Sequence, residues 1–156
     1  MPEKKNTDFL KTLERMYKDS RILYEKGEYY NCCYLCGYIL ECALKYILYK
    51  YGKKQDGTAY TIDELKNIAH STSKLNTQLD SWISVSGGIA AAYRLDSRGK
   101  CPYIFEGRGG YPHWDPRYRY GEHPKWDEKE YCEHYIIESE YIFQFIAGIV
   151  TGGSVV

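Results

Sequence analysis

Apolar side chains recur every three or four residues along most of this chain, and no stretch alternates with the period of two expected of a half-buried strand. The spacing predicts a first helix, capped by Asn6 or Thr7 and running to Lys26, with Phe9, Leu13, Met16 and Tyr17 on one side. Gly27 ends it, because glycine accepts the left-handed conformation that closes a helix. A second helix over about 28–51 carries Tyr30, Cys33, Tyr34, Gly37, Leu40, Ala43, Leu44, Ile47 and Leu48 on a broad apolar surface. Glu41 and Lys45 stand four apart with the acid first, the favourable order for pairing within that helix.

A polar loop follows from Gly52 to Tyr60. Thr61 and Glu64 then form a capping-box pattern, each satisfying the other's orphan amide, which opens a short third helix to about Ala69. Another starts near Ser73, keeps Leu75, Leu79, Trp82 and Ile83 at helical spacing and breaks at Gly87-Gly88; 89–95 resumes as a turn or short helix. From Asp96 to Lys125 glycines and prolines interleave, so no long helix is expected there. The last helix is expected to start on Asp127 as N-cap, with Glu130 at N3 and Trp126 stapled to Tyr131. Its stripe runs Tyr131, Tyr135, Glu138, Tyr141, Ile142, Phe145 and Ile149. The pattern is that of an all-α protein: an up-and-down bundle of about five helices with a long Gly/Pro/Tyr-rich loop before the last. Residues 1–150 are expected to form one helical domain and 151–156 a flexible tail.

The chain has 156 residues, enough for one core without disulfide staples. Charged residues at 27% and hydrophobic ones at 44% exclude a disordered chain. Eighteen tyrosines are the unusual term; they suit wet cores, self-association surfaces and base stacking alike. Net charge is zero, which excludes indiscriminate binding of polyanions. The charge is unevenly spread: residues 91–126 carry 7 basic against 4 acidic side chains, and 127–156 carry 1 against 6. A local phosphate site in the basic stretch is compatible with this pattern, as are solvated helix faces. The first ten residues show no apolar signal-peptide core, and Glu41, Lys45 and the acids of the last helix interrupt both long apolar stretches. No membrane span and a cytoplasmic location are therefore expected. The six cysteines read as buried reduced thiols, because Cys33-x-x-Cys36 has no second pair or nearby histidine to complete a zinc site.

Candidate chemistry lies in Tyr111-Pro-His-Trp-Asp-Pro-Arg-Tyr-Arg-Tyr-Gly-Glu-His123. Arginine forks hydrogen bonds onto a phosphate, and histidine moves a proton near neutrality. Together they support metal-free RNA cleavage, the histidine acting on a ribose 2′-OH or a leaving 5′-oxygen. The spacing Arg117-x5-His123 allows both groups to reach one phosphate, while Arg119, Tyr118, Tyr120, Trp114 and His113 are candidate substrate contacts. A structural loop whose arginines pair with Asp115 or Glu122 is the alternative. His70 at a helix end, His134 on the last helix and the single Gly107-Arg-Gly-Gly110 turn read as structural.

The stretch Glu25-Lys-Gly-Glu-Tyr-Tyr-Asn-Cys-Cys-Tyr-Leu-Cys-Gly-Tyr-Ile-Leu-Glu-Cys-Ala-Leu-Lys45 resembles the HEPN (higher eukaryotes and prokaryotes nucleotide-binding) domains. Their pattern is a Gly-aromatic turn and then a helix with Gly-Tyr-x-x-Glu-x-x-Leu-Lys. Thr61-Ile-Asp-Glu-Leu65 and Trp114 followed by Arg-Tyr pairs fit the same pattern, and the resemblance spans roughly 8–148. It implies a helical bundle, usually a homodimer, with no cofactor. It also implies one of two activities. Many members are metal-independent endoribonucleases of toxin–antitoxin, phage-defence or CRISPR systems, with an Arg-x4–6-His motif that Arg117 and His123 satisfy. Others are non-catalytic modules that keep a Trp…Arg-Tyr signature and bind a partner protein, such as a small nucleotidyltransferase or cognate antitoxin, a nucleotide or RNA. Two departures bear on this choice: Pro124 disfavours helical geometry at His123, and Tyr118 stands where active members carry a polar residue.

Overall fold

The computed structural model describes residues 8–68 and 71–152. Asn6, Thr7, Ala69, His70 and residues 153–156 lie outside the described residues. The first helix, α1 (Phe9–Glu25), opens on Asp8, whose side chain accepts the Lys11 N–H at 3.0 Å. Gly27 at φ 80° reverses the chain, and the Glu28 N–H donates to the Leu23 carbonyl at 2.9 Å. The second helix, α2 (Tyr29–Lys50), then runs back along the first. Phe9 meets Tyr49 at one end and Tyr24 meets Tyr29 at the other, which makes the pair an antiparallel hairpin.

The expected capping box is present at α3 (Ile62–Asn67): the Thr61 N–H donates to Glu64 at 2.8 Å and the Glu64 N–H to Thr61 Oγ1 at 3.1 Å. Ser71 caps α4 (Thr72–Ser86), and positive φ at Gly87 and Gly88 stops it. A 3-10 turn over Gly88–Tyr93 follows. The 96–125 segment carries three short pieces, α5 (Ser97–Lys100), α6 (Pro102–Phe105) and a 3-10 turn over Pro116–Arg119. Among the described residues there are seven α-helices and no strand, only an isolated bridge between Lys53 and Ala59. The expected long irregular loop is therefore punctuated, but no helix in it exceeds four residues.

The last helix, α7 (Lys129–Gly152), corrects the expected start. Asp127 is not its cap. Residues 124–127 form a turn in which the Glu128 N–H donates to the Lys125 carbonyl at 3.0 Å, and Lys125 pairs with Glu128 at 3.0 Å. Trp126 is fully buried and donates its indole N–H to Tyr135 Oη at 3.1 Å. The helix also runs through Thr151, whose hydroxyl donates to the Ala147 carbonyl at 2.7 Å.

The core is one continuous cluster built around α2, which packs on α1, α7, α4 and α3. Each leucine or isoleucine it buries contributes about 1.5–3 kcal/mol relative to exposure. Among the described residues α2 alone is long and apolar enough to cross a membrane, and 72% of that stretch is buried in the bundle. Polar groups fasten α1 to α7: Tyr17 Oη donates to Glu140 at 2.5 Å, Arg21 pairs with the same carboxylate, and Tyr17 stacks on Phe143 at 4.0 Å. Lys45 donates to Glu41 at 2.9 Å as expected, with both side chains buried.

Candidate functional site

The segment between α4 and α7 is anchored to α2 through Trp114. A Cβ on Gly37 would fall 2.0 Å from the indole, so α2 has room for this ring only because residue 37 is glycine. Trp114 Nε1 donates to the Tyr34 carbonyl at 2.9 Å, and its backbone N–H donates to the Ile104 carbonyl at 2.9 Å. Its ring meets Tyr38 edge-on at 5.0 Å. Trp114 is thus a buried anchor and presents no stacking face to a ligand.

Immediately beyond it, Asp115 organises the 3-10 turn. Its Oδ1 accepts the Arg117 N–H at 2.8 Å, and the Arg117 guanidinium forks onto both carboxylate oxygens at 3.0 and 2.7 Å. The fork holds the Asp115 carboxyl below its ordinary range and raises Arg117. The Arg117 side chain is nevertheless 88% exposed. Arg119 is exposed as well, its guanidinium 5.7 Å from the Tyr120 ring centroid, and Tyr120 is 87% exposed. The turn therefore presents two guanidinium groups and one phenol ring to solvent.

His123 has the opposite placement. It is 2% exposed, and both ring nitrogens are occupied. Nε2 lies 2.7 Å from the Pro112 carbonyl and must donate to it, while Nδ1 accepts the Lys125 N–H at 3.1 Å. These two partners select the neutral Nε2–H tautomer. The ring stacks on Trp126 at 5.0 Å and meets Tyr118 edge-on at 5.2 Å. Burial pushes its pKa below the ordinary histidine value. A proton on Nδ1 would face the Lys125 amide hydrogen, so the fold favours the neutral ring.

Tyr30, from the first turn of α2, ties the loop ends together. Its hydroxyl lies 2.8 Å from the carbonyls of both Tyr118 and Gly121 and accepts the His123 N–H at 3.0 Å. Of the residues expected to act together, His123 and Tyr118 join Tyr30 and Trp126 in an aromatic cluster, whereas Arg117, Arg119 and Tyr120 stand outside it. His113 is exposed at a cleft of about 240 Å³ shared with Thr72, Arg98 and Asp115. The pairing of an arginine with Asp115, given above as the structural alternative for this loop, is present at Arg117, and aspartate before proline also caps the turn whose first residue is that proline. Tyr30 was missed as an organising residue, and no sequence signal marked it.

The remaining titratable groups have structural settings. His134 stacks on Tyr103 at 4.0 Å. All six cysteines are buried and unpaired, and burial pushes the Cys33 and Cys36 thiols up, away from reactive thiolates. Among the described residues no group of three His, Cys, Asp or Glu side chains is disposed to hold a metal ion.

A family model for the HEPN domain matches residues 7–88, just over half of the chain. This chain belongs to the HEPN domain family. The match takes in α1 through α4 and ends before Arg117 and His123, so the chemistry of that pair rests on its own geometry. No curated protein and no solved structure matches the chain.

Proposed function

We propose that this HEPN chain is a non-catalytic module that binds single-stranded RNA through the exposed turn Arg117-Tyr-Arg-Tyr120. The observation that carries the reading is the contrast between His123, whose ring nitrogens are both occupied in the core, and the exposed Arg117, Arg119 and Tyr120. Guanidinium groups contact phosphates without reading sequence, and an exposed phenol offers a stacking face for a base. With zero net charge over the whole chain, attraction to RNA is local to this surface. The reading extends to a homodimer in the cytoplasm, supported by exposed Ile137 and Val150 on α7 and by the unpaired thiols.

The test is fluorescence anisotropy with a labelled single-stranded RNA at two salt concentrations. Replacing Arg117 and Arg119 with alanine is expected to weaken binding and flatten its salt dependence, since each phosphate contact releases counterions. Tyr120→Ala is expected to cost about 1–3 kcal/mol. RNA from the same mixture, incubated in EDTA, is expected to stay intact. EDTA-resistant cleavage that disappears in both Arg117→Ala and His123→Gln would instead establish the endoribonuclease reading. Absence of RNA binding by the wild type would transfer the surface to a protein partner, such as an antitoxin or nucleotidyltransferase. Light scattering that returns only an 18.2 kDa species at micromolar concentration would refute the dimer.

A further inference from the structure

We propose that the cleft between the 52–60 turn and α4 is a second ligand site, for a planar aromatic monocarboxylate that carries a ring N–H. This inference does not rest on the RNA-binding reading. The cleft has a volume of about 660 Å³, within the roughly 300–1,000 Å³ typical of small-molecule sites. Gln78, Trp82 and Val85 face it from α4, at positions one turn apart, and Tyr60 and Lys53 face it from the turn.

The turn is a built rim. Lys53 bridges to Ala59, the Lys54 N–H donates to the Thr58 carbonyl at 2.8 Å, and Gly57 supplies a positive φ of 86°. Asp56 accepts both the Thr58 N–H and its hydroxyl, at 2.9 and 2.6 Å, so that carboxylate is turned into its own loop. The aromatic wall is Trp82, half-buried and leaning on Tyr93 at 6.1 Å, and Tyr60 lines the same cleft. Val85 is 81% exposed and extends the apolar rim.

Two polar features specify the ligand. Gln78 Oε1 is buried without a hydrogen-bond partner. Such an acceptor is costly to leave unmade, and because Gln78 lines the cleft, a turn of its side-chain amide would offer the oxygen to a ligand N–H. Lys54 is paired with Glu64 at 2.5 Å, whereas Lys53 has no ion-pair partner among the described residues. One unpaired ammonium, on a cleft that Asp56 also lines, suits a singly charged anion better than a phosphate dianion. A flat ring on Trp82, its N–H toward Gln78 and its carboxylate toward Lys53, meets all three requirements.

Indole-3-acetate is the probe, titrated calorimetrically into the full chain while the Trp82 indole resonance is followed by NMR. Saturable one-to-one binding that shifts Trp82 is expected. Lys53→Met is expected to weaken it about tenfold or more at an unchanged melting temperature, and Gln78→Met roughly threefold to tenfold at an unchanged or raised one. 1-Methylindole-3-acetate, which lacks the N–H, is expected to bind as weakly to the wild type as indole-3-acetate binds to Gln78→Met. The methyl group should then make no difference in that variant. Four results overturn the proposal: no saturable heat at millimolar probe, an unmoved Trp82 resonance, equal affinity for the methylated probe, or tighter binding of adenosine monophosphate, which would make this a nucleotide site.

Discussion

Gly37→Ala isolates the contact that fastens the 96–126 segment to the bundle. On an open helix face the change is favourable by about 0.5–1 kcal/mol, because alanine has less backbone entropy to lose. Here the new methyl would fall 2.0 Å from the Trp114 indole, so the ring must move. Overpacking of this kind costs about 1–3 kcal/mol. Displacing the ring also breaks the 2.9 Å bond from Nε1 to the Tyr34 carbonyl, worth about 0.5–1.5 kcal/mol. The net expectation is destabilisation by about 1–3 kcal/mol, measured as a lower urea midpoint at constant slope. Trp114→Ala alone is expected to cost about 3–5 kcal/mol. In that background the clash is absent, and Gly37→Ala should become neutral or slightly stabilising. The cycle therefore predicts a coupling of about 1–4 kcal/mol between two residues 77 positions apart in sequence. Equal destabilisation by Gly37→Ala with and without the indole would refute the reasoning.

Two predictions concern protonation. His123 is held neutral, so its contribution to stability is present above its ordinary value of 6.5 and is lost as pH falls below it, where the unfolded chain takes up the proton first. NMR titration of the ring is expected to give a pKa below 6.5; a value at or above 6.5 would refute the buried, doubly bonded assignment. Glu138 on α7 carries the opposite sign. Burial pushes it up to about 7 although it accepts the N–H groups of Tyr103 and Ile104 at 2.8 and 2.9 Å. The native state holds a proton that the unfolded chain has released, so its contribution is full below 4.5 and lost as pH rises through about 7. Glu138→Gln removes that dependence, and the melting temperature of the variant relative to wild type is expected to rise between pH 5.5 and 8. A flat difference would refute it.

Much of the helical framework was legible in the chain because its causes are local. Apolar spacing, the Thr61/Glu64 box and the glycines at 27, 87 and 88 act over one or two turns, and the elements fall within a few residues of where they place them. The Glu25–Lys45 pattern also carried the family, since it sits on the helix with most of its surface in the core. The start of α7 was not legible. Asp127 and Glu130 satisfy a local capping rule, but the turn at 124–127 and the burial of Trp126 against Tyr135 prevail, because a buried indole outweighs one cap.

Arg117 and His123 show the boundary most clearly. The sequence determined that the two residue types stand six positions apart in a basic, aromatic stretch, and nothing more about them. Whether a histidine titrates depends on what surrounds its ring, and those partners come from Pro112, Lys125, Trp126 and, through Tyr30, the beginning of α2. Whether an arginine faces solvent depends on a fork to Asp115 at the edge of the fold. Burial and pairing are set by the packing of distant segments, so only the tertiary structure could place the imidazole in the core and leave the guanidinium groups outside.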